Sequence, residues 1–466
     1  MKCISTCRAC GSSALSPAFS IDATYDVKSS SSRRSQTAPR FSTAKGGSKT
    51  IDYVVCDPTI DANACGLLQR AAVTPQSDPD FRPRSGVHRS TRNLLRGIAT
   101  EALELLSGRD CAALDIGCND GTLLSYYPRW VERFGVDSHN VVNDIGVWAT
   151  TLRSSFPSRE TEEAFKARKF DIITAISVLE DLAEPRPFFA SAKSMLAPDG
   201  VMVVETLYAP LLLTRAYGEP IYNRHAAIYS LAALERLFRD CGFKIFRGLL
   251  TDKNGGSIRL FLCHEGFEEF DFDPWYERLA RFWDEENTLG LRLASPYQAF
   301  EQRVAVGWAA LEQVLGDIAH GGEVIHIIGT GPMAAEIYGA AGAARHAIEA
   351  FIAYDETLSV DRLCQGGPLV ISEQEALAME PDCLVAPLSQ KRDVLERWRE
   401  AILRGAKVVF PGARPHVVTS SNYAVEFGKT IASGDGAVGP ETLRSVLSVM
   451  GGPQLVLDGG KLANAS

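Results

Sequence analysis

Ala112-Ala113-Leu114-Asp115-Ile116-Gly117-Cys118-Asn119-Asp120-Gly121-Thr122-Leu123-Leu124 is the stretch whose reading decides the fold. Residues 112–116 form a short apolar run with one acid near its end. Residues 117–121 form a glycine-bounded turn, and residues 122–124 open an amphipathic segment. That order is strand, turn, helix. Gly117 and Gly121 let the backbone approach a ligand closely. A helix N-terminus behind such a turn ordinarily favours polar or anionic groups. Here Asp115, Asn119 and Asp120 crowd the turn, so a phosphate is repelled. A ligand with hydroxyls, an amine or a cationic sulfur is accommodated.

Working outward, Arg133-Phe134-Gly135-Val136-Asp137 places an acid at the end of the next strand, where it can hold a ribose. The G-x-G-x-x-G spacing of dinucleotide sites is absent from this turn. The turn resembles the S-adenosylmethionine (SAM) site of class I methyltransferases. That resemblance makes Asp115, Gly117, Asn119, Asp120, Gly121 and Asp137 the expected cofactor contacts. A generic Rossmann turn without the cofactor is the competing reading. Around it, helical spacing runs from Ser90 through Leu94, Leu95, Ile98, Ala102, Leu103 and Leu106. Residues 170–179 read as a buried parallel strand with Glu180 and Asp181 at its end, 188–196 as a helix and 201–205 as a strand. The alternation predicts an α/β fold with a doubly wound, mostly parallel sheet. Ligands of such sheets bind beyond the carboxyl ends of the strands.

The chain has 466 residues, 45% apolar and 23% charged, enough for two to four domains with ample core. Its net charge of −9 argues against a nucleic-acid partner, which calls for basic patches. No run reaches the ~18 apolar residues of a membrane span. Met1 to Cys7 shows no apolar signal core, so no secretory leader is expected and a cytoplasmic location is. Eleven scattered cysteines then favour metal ligation or buried thiols over disulfides.

Cys7-Arg8-Ala9-Cys10 is a C-x-x-C on a turn, and Cys56 and Cys65 follow farther on. Two cysteine pairs suit a tetrahedral structural zinc with four thiolates, here Cys7, Cys10, Cys56 and Cys65. Cys56 and Cys65 lie farther apart than such a pair usually does, which leaves Cys3 as a substitute ligand and free thiols as the alternative. Residues 28–50, rich in Ser, Arg, Gly and Thr, read as a flexible loop.

Residues 80–86 read as a linker. Ile221-Tyr222-Asn223-Arg224-His225-Ala226-Ala227-Ile228-Tyr229-Ser230 then precedes a helix over 231–240. A histidine titrating near neutrality can remove a proton at pH 7; a structural histidine beside a helix start is the alternative. Asn254-Gly255-Gly256-Ser257-Ile258-Arg259 turns into a strand, and a plain hairpin turn would explain it equally.

Together, the C-x-x-C with Cys65-Gly66-Leu67-Leu68-Gln69, the SAM turn, residues 222–230 and residues 254–259 resemble the sugar C-methyltransferases of deoxysugar biosynthesis. The resemblance covers nearly the whole chain. It implies an N-terminal zinc-binding domain (1–75), a central SAM domain (76–268) and, after linker helices, a C-terminal Rossmann-like domain (269–466). It also implies a cytoplasmic monomer or homodimer acting on a nucleotide-linked 4-keto-6-deoxysugar. That substrate loses its C3 proton, and the resulting enolate attacks the SAM methyl. By the resemblance the base is His225, Tyr222 orients the keto oxygen or enolate, and Asn254 and Arg259 are substrate-binding; Arg224 is added as substrate-binding on its own charge. The chain departs from the pattern in four places. Arg224 replaces the motif's glutamate, and Glu180-Asp181 stand where the family has a histidine. Phe81-Arg82-Pro83-Arg84 lacks a hydroxyl, and the second cysteine pair is stretched. Arg224 beside His225 is expected to lower its basicity and to face an anionic substrate group.

Asp273-Pro274-Trp275 is expected to begin a linker, and helical spacing runs over 297–318. The apolar run 324–328 precedes Gly329-Thr330-Gly331-Pro332-Met333-Ala334, a G-x-G-x-x-A in the dinucleotide context, and residues 350–355 end in Asp355. Residues 383–387 and 407–411 read as further parallel strands, and 441–449 as a helix. Three alternatives remain open: a SAM-dependent O- or N-methyltransferase of another metabolite, an NAD-dependent oxidoreductase using the Gly329 turn, and a binding protein holding SAM as a structural ligand.

Overall fold

The computed structural model describes residues 2–23, 25–28, 40–43, 49–73, 84–106, 110–216, 218–223, 225–353 and 367–428. Arg224, Phe81 to Pro83, Asp355 and the helix expected at 441–449 lie outside them. The first sheet is small and antiparallel. Strand β1 (Leu15–Ala23) pairs with β2 (Lys49–Cys56), and β2 pairs with β3 (Leu68–Arg70). The loop expected over 28–50 is partly strand: Tyr25–Lys28 and Arg40–Thr43 form an antiparallel hairpin, and Lys49 already belongs to β2. Ser and Thr composition did not reveal that pairing, because cross-strand partners rather than propensity decide it.

Helix α1 (Arg89–Leu105) buries Leu94, Leu95, Ile98, Ala99 and Ala102, the one-face spacing read in the sequence. The SAM-turn strand β4 (Ala112–Ile116), then β5 (Glu132–Asp137), β6 (Thr150–Arg153) and β7 (Phe170–Ile176) follow. Helix α2 (Pro185–Met195) leads into β8 (Leu196–Leu207), then α3 (Glu219–Tyr222) and β9 (Ala227–Ile228). Helix α4 (Leu231–Asp240) starts where the sequence predicts, with the Ser230 side chain accepting from Ala233 N–H as its cap. Strands β10 (Phe243–Thr251) and β11 (Ser257–His264) close the unit. The central sheet runs β6-β5-β4-β7-β8-β11-β10, parallel except that β11 is antiparallel to both neighbours. Strands β4 and β7 lie side by side, so the turn after β4 and the loop after β7 share the carboxyl edge.

β9 does not join this sheet. It pairs antiparallel with β3, extending the N-terminal sheet to the order β9-β3-β2-β1.

Asp273 begins a helix rather than a linker. Helix α5 (Asp273–Leu289) has Pro274 in its first turn and stops at Gly290 in the left-handed conformation. Helix α6 (Ser295–His320) buries Tyr297, Phe300, Val304, Leu311 and Leu315. Strand β12 (Ile325–Ile328), helix α7 (Pro332–Ala340), β13 (Ile348–Ala353), β14 (Leu369–Ser372), β15 (Cys383–Val385), helix α8 (Lys391–Arg397), β16 (Lys407–Phe410) and β17 (His416–Val418) complete the described chain up to a short C-terminal helix. The sheet order is β14-β13-β12-β15-β16-β17, parallel until the antiparallel β17. One apolar core links all three units: Phe19 stacks on Tyr53 and touches Phe300, and Tyr222, Val304, Met333 and Ile337 share the cluster. Among the described residues no helix is long and apolar enough to cross a membrane.

Candidate active site

The turn after β4 is folded by its own polar groups. Gly117, Asn119 and Gly121 have φ of 80°, 50° and 75°. A Cβ on Gly117 would sit 2.6 Å from Val178 Cγ2, so glycine is what lets the turn meet the loop after β7. The N–H groups of Gly117 and Cys118 donate to Val136 C=O, and that of Asn119 donates to Asp137 Oδ2 at 2.9 Å. With its donors spent internally, the turn offers no cradle for a phosphate.

Asp115 is buried and its Oδ1 accepts from the Thr174 hydroxyl at 2.6 Å. Burial, with Asp137 and Asp120 nearby, pushes its pKa up to about 7. A cationic ligand would relieve that crowding of acids; a dinucleotide phosphate would worsen it. Asp120 is committed within the turn, Oδ1 accepting from Thr122 and Oδ2 from Gly86 N–H at 2.9 Å. Asn119 Oδ1 accepts from Ser85 N–H at 3.0 Å. The end of the expected linker therefore clamps the turn, and Asp115 and Asp120 shape it rather than offering free ligand oxygens. Asp137 keeps the position expected at the end of β5. Its Oδ1 accepts from His139 N–H at 2.9 Å and lies 2.8 Å from His139 Nδ1, a neighbour the sequence reading missed.

Beyond the carboxyl ends of β7 and β8, the chain brings His225 against the turn Leu179–Asp181. His225 Nδ1 lies 2.7 Å from Asp181 Oδ1. Burial opposes the protonated ring, but the Asp181 carboxylate together with Glu180 and Glu219 outweighs it, and the His225 pKa is raised above its ordinary value. The Asp181 carboxylate comes from another segment of the chain; Arg224, on which the expected lowering of His225 basicity turned, lies outside the described residues. Glu180 points elsewhere, with Oε2 accepting from the Thr206 hydroxyl at 2.9 Å.

The main chain around His225 is tied on both sides. The Tyr53 hydroxyl donates to His225 C=O at 2.8 Å and Arg70 N–H donates to Ala226 C=O at 2.9 Å. Ala226 N–H donates to Glu180 C=O at 2.7 Å.

Residues 87–247 match the family of methyltransferase domains, and residues 252–412 match the C-methyltransferase C-terminal domain. The chain is a SAM-dependent methyltransferase. It is similar to the C-methyltransferase NovU of Streptomyces niveus, at 23% identity over 320 residues, covering 66% of this chain and 74% of that protein. A shorter stretch resembles a ubiquinone biosynthesis O-methyltransferase of Azorhizobium caulinodans, at 30% identity over 119 residues, 24% of this chain and 47% of that one. The plantazolicin methyltransferase BpumL, solved with a desmethylPZN analog and SAH, overlaps 38% of this chain and 85% of its own at 13% identity and a TM-score of 0.32. An overlap of that quality carries no weight for this chain.

Two residues expected at the methyltransferase's substrate are employed otherwise. Arg259 on β11 is buried, its Nε donating to Glu205 Oε2 at 2.7 Å on the paired strand β8, with Glu101 Oε2 3.3 Å from Nη1. It is a structural ion pair inside the sheet. Tyr222 is buried in the three-way core, and its hydroxyl accepts from the Trp308 indole N–H at 2.9 Å. The two members of the expected Tyr–His pair are thus held by different partners, on opposite sides of a short loop. Asn254 has a left-handed φ of 52° and its Nδ2 donates to Ser177 Oγ at 3.2 Å, so it touches the loop after β7. It lines a cleft of about 210 Å³ between the central and C-terminal sheets, with His88, Glu219, Lys253, Gln390 and Arg392.

The four expected metal ligands converge. Cys7 and Cys65 Sγ are 3.6 Å apart, Cys10 and Cys56 Sγ are 3.5 Å apart, and all four lie within 4.8 Å of one another. A tetrahedral zinc with Zn–S bonds of ~2.3 Å needs sulfurs about 3.8 Å apart, so the set fits. The neighbouring thiols stabilise the Cys10 thiolate and hold its ionisation far below the ordinary thiol range. The stretched spacing is absorbed by turns. Ala64 N–H donates to Asp61 C=O, and Gly66 N–H closes the loop onto Cys56 C=O at 2.9 Å. Cys3 is exposed on a separate two-stranded ribbon and is not part of the cluster.

Proposed function

We propose that this methyltransferase methylates a carbon next to the ketone of a nucleotide-activated 4-keto-6-deoxysugar, with His225 as the base. The supporting observation is the half-buried imidazole held by Asp181 at the sheet edge that carries the SAM turn. A carbon acid needs such a base; a hydroxyl nucleophile is served by one as well, so proton exchange at carbon is what separates the two reactions. His225 takes the C3 proton, and the C–H electron pair passes into the enolate of the ketone. SAM, when bound, supplies the electrophilic methyl group. Asp137 would hold its ribose hydroxyls, and the acids about Gly117 favour its positive charge. The nucleotide would lie in the cleft that Asn254 and Gln390 line between the central and C-terminal units. Lys253 and Arg392 stand in that cleft beside Glu219, Asp252 and Asp393, and Asn254 joins it to the loop after β7. The four cysteines would bind a structural zinc.

The test is incubation with a panel of UDP-, dTDP-, GDP- and CDP-linked 4-keto-6-deoxyhexoses in D₂O, with and without SAM. The expected result is deuterium uptake next to the ketone and a new C–CH₃ group when SAM is added. Methyl transfer to oxygen or nitrogen without deuterium uptake would overturn the carbon-acid reading. Saturable heat with NADH and none with SAM would overturn the SAM site itself.

A further inference from the structure

The loop after β7 carries two adjacent acids, and the structure gives them different tasks. Glu180 is buried with Oε2 on the Thr206 hydroxyl and its backbone carbonyl on Ala226 N–H. Asp181 is partly open and directs Oδ1 at His225 Nδ1, 2.7 Å away. The other ionisable groups about the ring are Glu219 from α3 and the Tyr53 phenol of β2, whose hydroxyl is on the His225 carbonyl.

We propose that Asp181 is the positioning residue of the base, holding the Nδ1–H tautomer of His225 so that the Nε2 lone pair faces the carbon acid. This rests on His225 being the base. Three geometric facts carry it. The Nδ1–Oδ1 contact is within charge-assisted hydrogen-bond length. The two segments are locked by the Ala226–Glu180 backbone bond, so the contact does not depend on two free side chains finding each other. The imidazole ring is largely enclosed, at 13% side-chain exposure, where a fixed carboxylate is screened less than at a surface. In the step, Nε2 gains the proton lost by carbon, and the ring becomes imidazolium. Asp181 stays ionised opposite the new charge, and Nδ1 keeps its proton. An orienting carboxylate of this kind acts on the ring's tautomer as well as on its charge.

Asp181→Asn and Asp181→Glu in the full chain test this, with His225→Ala as reference. The first readout is deuterium exchange next to the ketone, over pH, using the same keto-sugar panel. The second needs no substrate: titration of ¹³C-labelled histidine rings by NMR, the His225 signal being the one lost in His225→Ala. Asp181→Asn is expected to slow exchange by about 10–10³-fold, within the range of lost orienting partners. Removing the carboxylate disfavours imidazolium, so the His225 titration and the acid limb of the exchange profile move to lower pH. Asp181→Glu restores part of the rate and keeps the titration near its original pH, and SAM affinity is unchanged in both. An Asp181→Asn protein with the wild-type titration and pH profile overturns the proposal, whatever its rate. Exchange at the wild-type rate in His225→Ala overturns instead the assignment of the base on which it rests.

Discussion

His225→Ala is expected to bind SAM as the wild type does and to transfer methyl groups about 10²–10⁴-fold more slowly, the usual loss when a general base is removed. The two halves of that result come from different places. The SAM turn is built from β4, β5 and residues 84–86, none of which uses the His225 ring. Among the described residues the ring's hydrogen bond is to Asp181, in the loop after β7. Calorimetric SAM titration and initial rates of methyl transfer check the two halves separately. Unchanged turnover would remove His225 from the mechanism. Tyr222→Phe provides the contrast. It deletes the oxygen that accepts the Trp308 indole N–H, so it is expected to cost about 1 kcal/mol of stability. Its deuterium-exchange rate should stay within a few-fold of wild type. A loss of exchange comparable to that of His225→Ala would return Tyr222 to the reaction.

Loss of the zinc proposed for the four cysteines is expected to cost activity through the same histidine. Strand β9 begins two residues after His225 and is the edge strand of the N-terminal sheet, paired through Ala227↔Gln69 and Ile228↔Leu68. The strand it pairs with adjoins the cysteine cluster, since Cys65 lies just before β3 and Cys56 ends β2 beside Val55, the partner of Leu68. Structural zinc in small domains contributes apparent binding free energies of ~10–16 kcal/mol, so its removal loosens what it organises. Cys10→Ser, or exhaustive chelation, should lower bound zinc measured by elemental analysis and reduce methyl transfer at least about tenfold. SAM affinity should change little, because the described hydrogen bonds that shape the SAM turn run to β5 and to residues 84–86. Full activity in metal-free protein would show that packing alone secures β9.

Much of the site's framework could be read in the sequence because its causes are local. The strand–turn–helix at 112–124 is set by apolar residues followed by glycines whose positive φ few other residues adopt. Helix α4 starts at Leu231 because Ser230 caps it, and the one-sided spacing of α1 is visible in the order of its leucines. The C-x-x-C is a turn, and turns are also local. What the sequence left uncertain involves partners distant along the chain. Arg259 reads as a candidate anion binder until its register opposite Glu205 shows the charge already used. Tyr222 and His225 look like one pair at three residues' separation, but the chain between them sends one ring into the core with Trp308 and the other to Asp181. Cys56 and Cys65 look too far apart until the turns between them bring the thiols together.

The sequence by itself determined that this is an α/β chain with a SAM-type turn at Gly117, an acid at Asp137 and a histidine near the sheet edge, since periodicity, glycine conformational freedom and residue chemistry are properties of short segments. Only the tertiary structure decided which acid faces that histidine, which arginine and tyrosine are occupied in the core, and that an N-terminal sheet holds the backbone of the base. Those depend on strand register and on packing between distant segments, where burial and charge pairing override what each residue suggests alone.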